Sequence, residues 1–221
     1  MDVLPLSPSK GVQTTTNMNI HQFVKKYSAD FSSLINSLEA NDSSSAKLSY
    51  EQGIEKAVEM VKKVQSANKK IMMVGNGGSA GIASHQAVDY WKNGGVRATA
   101  FNDSSLLTCI SNDFSYAEVF SKPIEKFADT GDLAFCISSS GGSKNILNAA
   151  EQAKRSGCSV ITFSGFKTDN PLRKMGDLNF YLPSHSYGYV EILHLFIIHN
   201  ILDAKLYCLD KVDVFKANQK L

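Results

Sequence analysis

No run of about 18 apolar residues occurs in the sequence, so no segment has the length a helix needs to cross a bilayer. The first residues show no basic stretch leading into an apolar one, and a secretory leader is not expected. Charge of either sign is scarcely in excess. The 23 Lys and Arg against 21 Asp and Glu leave +2, which gives no electrostatic case for a nucleic-acid partner or an acidic surface. The residues before the first strand are too few and too neutral for a DNA-binding helix-turn-helix. The four cysteines, Cys109, Cys136, Cys158 and Cys208, lack CxxC spacing, and three sit inside apolar runs; buried free thiols in a reducing cytoplasm are the expectation. Two nucleotide signatures are missing as well. GNGGSA is not GxGxxG, no acidic residue closes a second strand about 20 residues on, and no GKS or GKT is present.

What remains is a chain of 221 residues, 43% hydrophobic and 20% charged, long enough for one globular domain with a sizeable core. Its central stretch is Ile71 to Asp89, IMMVGNGGSAGIASHQAVD. Apolar Ile71 to Val74 read as a buried strand. Gly75, Gly77 and Gly78 make a tight turn, and Ser79 is expected as the N-cap of a helix. Free N–H groups and the positive end of the helix dipole make that turn an anion site. His85 and Asp89 follow at i and i+4, which puts an imidazole and a carboxylate on one helix face.

In order, residues 1–18 are polar and read as a flexible tail, with Met18 a second candidate start. Residues 19–209 read as one domain, and 210–221 as a C-terminal tail. Phe23, Tyr27, Phe31, Leu34 and Leu38 recur with helical spacing, and so do Ile54, Ala57, Val58, Val61 and Val64; between them Asn41 to Ser45 reads as a polar loop. The two helices are expected to pair as a hairpin on the sheet or against another subunit. Further strands are expected at Ala98–Phe101, Leu133–Ile137, Ser159–Phe163 and Asn179–Leu182. Helices are expected at Leu106–Ile110, Tyr116–Phe127 and Ile146–Arg155, with a final helix from Tyr189 to Leu209. Alternation of strands and helices predicts an α/β fold with a central parallel five-stranded sheet covered on both faces, ligands binding beyond the carboxyl ends of its strands. At one such end SSSGGSKN, Ser138 to Asn145, crowds Ser138, Ser139, Ser140 and Ser143 around a helix start, which suits a phosphate monoester held by neutral donors.

These motifs together carry a resemblance. GNGGS with His85 and Asp89, NDSS at Asn102–Ser105, SNDFSYAEVFSK at Ser111–Lys122, GDLAFCISSSGGSKNIL at Gly131–Leu147 and EILHLFIIH at Glu191–His199 are similar, in order and spacing, to the sugar isomerase (SIS) domain family, within it to the phosphoheptose isomerases. The resemblance implies a cytoplasmic homotetramer that converts sedoheptulose 7-phosphate into D-glycero-D-manno-heptose 7-phosphate for bacterial surface polysaccharide. It also implies roles. Asn76, Gly77, Ser79, Asp103, Ser138, Ser139, Ser140, Ser143 and Glu191 would bind the sugar phosphate. Asp89 would be the base and His199 the acid, and zinc would be held by His85, Asp89, Glu191 and His199.

Two positions depart from the family pattern: Asp89 stands where it has glutamate, and Glu191 where it has glutamine. Aldose–ketose isomerisation needs a base beside the carbonyl carbon and an acid or Lewis acid at its oxygen. Asp89 keeps the carboxylate one methylene shorter, and roughly an ångström of misplacement costs on the order of a hundredfold in rate. Two imidazoles with two carboxylates form a set suited to zinc. His194, five residues before His199, points about 140° away on an ideal helix and reads as a packing residue. His185 reads equally as a turn residue or a group near the site, and Trp91 as core or interface. Two alternatives stay open: a non-catalytic relative that binds the replication initiator, which Ala80 after GNGGS resembles, and an isomerase of another sugar phosphate.

Overall fold

A computed structural model describes residues 18–216, and the tail expected for residues 1–18 lies, but for Met18, outside the described residues. Two helices open the chain, α1 (Ile20–Ile35) and α2 (Tyr50–Ser66), and both begin in capping boxes, Asn19 with Gln22 and Ser49 with Gln52. They are not a helical hairpin. The polar loop expected at Asn41–Ser45 instead begins inside a strand, β1 (Glu39–Asp42), which turns back through Ser45 (φ 65°) into the two-residue β2 (Lys47–Leu48). Asp42 makes that turn: its Oδ1 accepts from Ser44 N at 2.9 Å, Ser44 Oγ at 2.7 Å and Ala46 N at 3.1 Å, and these bonds hold its carboxyl below the usual value.

The remaining strands are β3 (Lys70–Gly75), β4 (Arg97–Ala100), β5 (Leu133–Ser138), β6 (Ser159–Ser164) and β7 (Leu178–Tyr181). They alternate with α3 (Gly78–Lys92), α4 (Ser104–Asp113), α5 (Ser121–Phe127) and α6 (Lys144–Arg155), and α7 (Tyr187–Cys208) closes the fold. The sheet has seven strands in the order β2-β1-β7-β6-β5-β3-β4. The five expected strands are present and mutually parallel; β1, antiparallel to β7, and β2, antiparallel to β1, extend them into a mixed sheet. The extra pair was hidden because EAND carries no alternating apolar pattern and is held by the hairpin and by β7.

Period-two alternation divides the core. Ile71, Met73, Leu133, Phe135, Ile137, Ile161 and Phe163 face α2, α3 and α7, while Met72, Val74, Ala134, Cys136 and Val160 face the layer that holds α5 and α6. The buried residues of α6 besides Asn145 are Ile146, Ala149, Ala150 and Ala153, small enough in the main for this helix to sit close on β5 and β6. Of the four free cysteines only Cys136 and Cys158 are buried, and burial pushes their thiols up to about 12 and about 11; Cys109 and Cys208 are exposed. Trp91 is 54% exposed and so is not core within this chain. The C-terminal segment is partly docked, with Val212 and Val214 against the larger core cluster and Asp210 bonded to the buried Lys205 at 2.7 Å. Among the described residues no helix is long and apolar enough to cross a membrane.

His194 has the packing role read for it. It is fully buried on α7 against Phe163 with ring centroids 6.3 Å apart, and neither ring nitrogen has a hydrogen bond of good geometry. Burial lowers its pKa to about 4, only partly opposed by the Ser164 carbonyl. A histidine that protonates more readily unfolded than folded takes stability away as pH falls from 6.5 toward 4, by roughly 3 kcal/mol at most. Denaturant midpoints for the wild type should therefore fall over that range, and His194→Leu should flatten the dependence; equal slopes would remove His194 from acid unfolding.

Candidate active site

In the sheet order, the chain leaves β3 for β4 on one side and comes back to β5 on the other, so the switch point of the parallel sheet lies at the carboxyl ends of β3 and β5. The two Ser/Gly turns stand there. The first begins α3 at Gly77, whose φ of 53° suits a residue without a Cβ, so the N-cap is Gly77 and not Ser79; Ser79 sits in the first turn, 3% exposed. The second leads into α6, whose N-cap Ser143 makes no side-chain bond to its own helix. With neither helix start satisfied by a cap of its own, both dipoles and their free N–H groups face the same space.

That space is a cleft of about 250 Å³ lined by both turns, including Asn76, Gly77, Ser79, Ser138, Ser139, Ser140 and Ser143. Among the described residues no lysine or arginine lines it. Ser138 Oγ lies 3.3 Å from Ser143 Oγ, and Ser140 Oγ accepts from Gly142 N at 3.2 Å. Asn76 is held by a reciprocal amide pair with Asn145, at 2.9 and 2.8 Å, and by the Tyr116 hydroxyl donating to its Oδ1 at 3.0 Å. Tyr187 and Glu191, from the first turns of α7, close the cleft. The Glu191 carboxylate lies directly over the start of α3, where a Cβ at Gly78 would run into it. Gly78 leaves the room that the carboxylate occupies, and a larger residue there would have to displace the Glu191 side chain.

Asp103, expected to line the sugar, is not among the residues that line the serine cleft. It is the N-cap of α4, accepting from Ser105 N at 3.0 Å, Leu106 N at 3.1 Å and the Ser105 hydroxyl, and these bonds hold its carboxyl below the usual range.

A second cluster lies farther along α3 and α7. His85 Nε2 is 3.3 Å and His199 Nε2 4.0 Å from Asp89 Oδ2, and the two rings meet at 5.4 Å with an interplanar angle of 64°. One ligand atom from each of His85, Asp89 and His199 can lie within 4.8 Å of the others, a donor set that fits a divalent transition ion with an open coordination position. Glu191 does not join it. Eight residues along α7 from His199 is about 12 Å of rise, so the expected four-ligand set divides in this chain into three ligands and one carboxylate in the serine cleft.

Three polar neighbours went unnoticed in the sequence. Gln86 places Nε2 2.8 Å from His199 Nε2. Asp203, one turn beyond His199, is raised above the ordinary carboxylate value by burial, with His199 opposing and Asp89 adding to the rise. Asn145 completes the amide pair. The i+4 spacing of Asp203 from His199 was a readable signal; the contacts of Gln86 and Asn145, 113 and 69 residues from their partners, were not.

With this geometry in place, the comparisons have a structural meaning. A family model described as SIS domain matches residues 37–165. The phosphoheptose isomerase of Campylobacter concisus (strain 13826) is 38% identical over 159 residues, covering 68% of this chain and 82% of that protein. Among solved structures, a phosphoheptose isomerase from Neisseria gonorrhoeae superposes with a TM-score of 0.68 at 26% identity, covering 83% of this chain and 99% of that one. Another from Francisella tularensis, at 22% identity and TM-score 0.74, covers 85% and 98% and shares the fold. The chain belongs to the SIS domain family. Within that family its similarity lies with the phosphoheptose isomerases, which makes it an aldose–ketose isomerase.

Glu191 puts a negative charge into a cleft built for an anion. Replacing it by the neutral isostere, Glu191→Gln, should tighten binding of inorganic phosphate by at least about tenfold, since one charge pair at about 4 Å is worth roughly 1 kcal/mol in bulk water and more near a protein surface. Calorimetric titration reads this directly, and an unchanged affinity would place the bound phosphate out of reach of Glu191.

Proposed function

We propose that this protein isomerises sedoheptulose 7-phosphate to D-glycero-D-manno-heptose 7-phosphate through an enediolate, supplying heptose for bacterial surface polysaccharide. The observation that carries the reading is the pairing of a serine-lined cleft at two helix starts with the His85, Asp89 and His199 cluster. The cleft offers hydroxyls and backbone N–H groups to a phosphate monoester without a fixed cation, so affinity is moderate and product can leave. Asp89 takes the proton from the carbon beside the carbonyl, and His199 exchanges the proton on the neighbouring oxygen. His85, at 3.3 Å, holds the Asp89 carboxylate in place. Zinc, if held by His85, Asp89 and His199, would supply Lewis-acid polarisation of the carbonyl in place of the proton from His199.

A homotetramer in the cytoplasm is part of this reading. The apolar residues Ile20, Phe23 and Val24 are 83%, 57% and 56% exposed, and α1 buries none of its residues within the chain. Such a face supports burial against further copies. The separation of Glu191 from the cluster supports a site completed between copies, with the cleft of one beside the cluster of another.

The test is to follow aldose formation from sedoheptulose 7-phosphate by NMR in metal-analysed protein, with chelator and then zinc added. Turnover lost to chelator and restored by zinc is expected. Absence of turnover under any metal, with saturable sugar-phosphate binding, would move the assignment to another sugar phosphate or to a sensor. Asp89→Ala should abolish turnover, by a factor of at least about a thousand, while sugar-phosphate affinity and the thermal midpoint stay near wild type.

A further inference from the structure

The contact between α3 and α7 buries one side chain to which the mechanism gives no task. Gln86 has no exposed surface, and among the described residues its buried Oε1 has no hydrogen-bond partner. Its Nε2 lies 2.8 Å from His199 Nε2 and 3.5 Å from Asp89 Oδ2. The orientation of the amide follows from chemistry. Exchanging its two ends would turn a carbonyl oxygen toward a carboxylate oxygen and leave the amide's N–H groups buried where no acceptor meets Oε1 now. The N–H end therefore faces the imidazole, and His199 Nε2 accepts, which places the proton of the neutral ring on Nδ1.

His199 Nε2 is also the nitrogen that looks toward Asp89 Oδ2, at 4.0 Å, and it is the atom the ring would give to a metal held with His85 and Asp89. One lone pair cannot serve an amide N–H and a cation together. The helices themselves cannot easily part to relieve this, because the buried Tyr90 hydroxyl donates to the Ile198 carbonyl at 3.1 Å one residue away from His199. A buried acceptor left unpaired at Oε1 is a standing cost that leucine or methionine at this position would not carry.

We propose that Gln86 is a positioning residue that holds His199 through Nε2 and competes with a divalent cation for that atom, keeping metal at this cluster weakly bound and exchangeable. The proposal rests on reading His85, Asp89 and His199 as the isomerase metal site. Gln86 then sets how firmly the cluster keeps a metal, a property separate from the identities of the three ligands.

The experiment compares the full chain with Gln86→Leu and the nearly isosteric Gln86→Met. Zinc affinity is measured by competition with a chromogenic chelator, and the His199 ring nitrogens are observed by 15N NMR in metal-free protein. Both variants should bind zinc about tenfold more tightly, the equivalent of one lost competing hydrogen bond. The Nε2 resonance should move toward that of an acceptor nitrogen without a donor. Unchanged or weaker zinc binding in a variant with a cooperative unfolding transition overturns the competition. If neither wild type nor variants bind zinc, the metal-site reading and the competition fail together, and the nitrogen resonance still decides whether Gln86 holds His199: a shift in Gln86→Met retains the hold, and none removes it.

Discussion

The structure depends on how α3 lies against α7. Close contacts run from Gly78 under the Glu191 carboxylate, through the Tyr90 hydroxyl on the Ile198 carbonyl, to Gly94 under Leu202, where a Cβ would meet the leucine at 2.7 Å. Small residues at the two ends let the helices approach, and a buried polar bond near the middle fixes their register. Everything chemical in the chain is then a matter of position along this pair. The helix start meets the serine turn of β5, and two to three turns on the imidazoles meet the carboxylate.

This arrangement explains why charge is distributed as it is. The cleft holds no basic side chain, and its attraction for an anion comes from helix starts and hydroxyls, which are fixed by the backbone and do not titrate near neutrality. Titratable groups gather instead at the other station, where His85, Asp89, His199 and Asp203 share one neighbourhood. In the proposed reading, binding and proton transfer therefore fall to different parts of the helix pair.

Most of the parallel core was legible because its strands are short apolar runs between glycine-rich turns, and its helices repeat at 3.6 residues. Ser138 to Ser143 and His85 with Asp89 could be placed for the same reason: their spacing is local. What escaped was set by distant partners. EAND became a strand through β7, where Glu39 pairs with Tyr181 and Asp42 with Leu178, and no local pattern announces it. Ser79 lost the cap to Gly77 because the turn takes a positive φ one residue earlier than serine chemistry suggests. Glu191 and His199 suggest one ligand set by residue type, yet eight residues of rise keep them at separate stations.

The rims of the sheet carry a final consequence. One ends in the two-residue β2 and the other in the four-residue β4, which starts at Arg97 with its guanidinium donating to the Asn68 carbonyl at 3.1 Å. Neither rim offers a long, flat row of unpaired amides for a neighbouring molecule to extend. Among the described residues the sheet therefore offers a neighbouring copy no open-ended route to strand-by-strand polymerisation, even in a crowded solution.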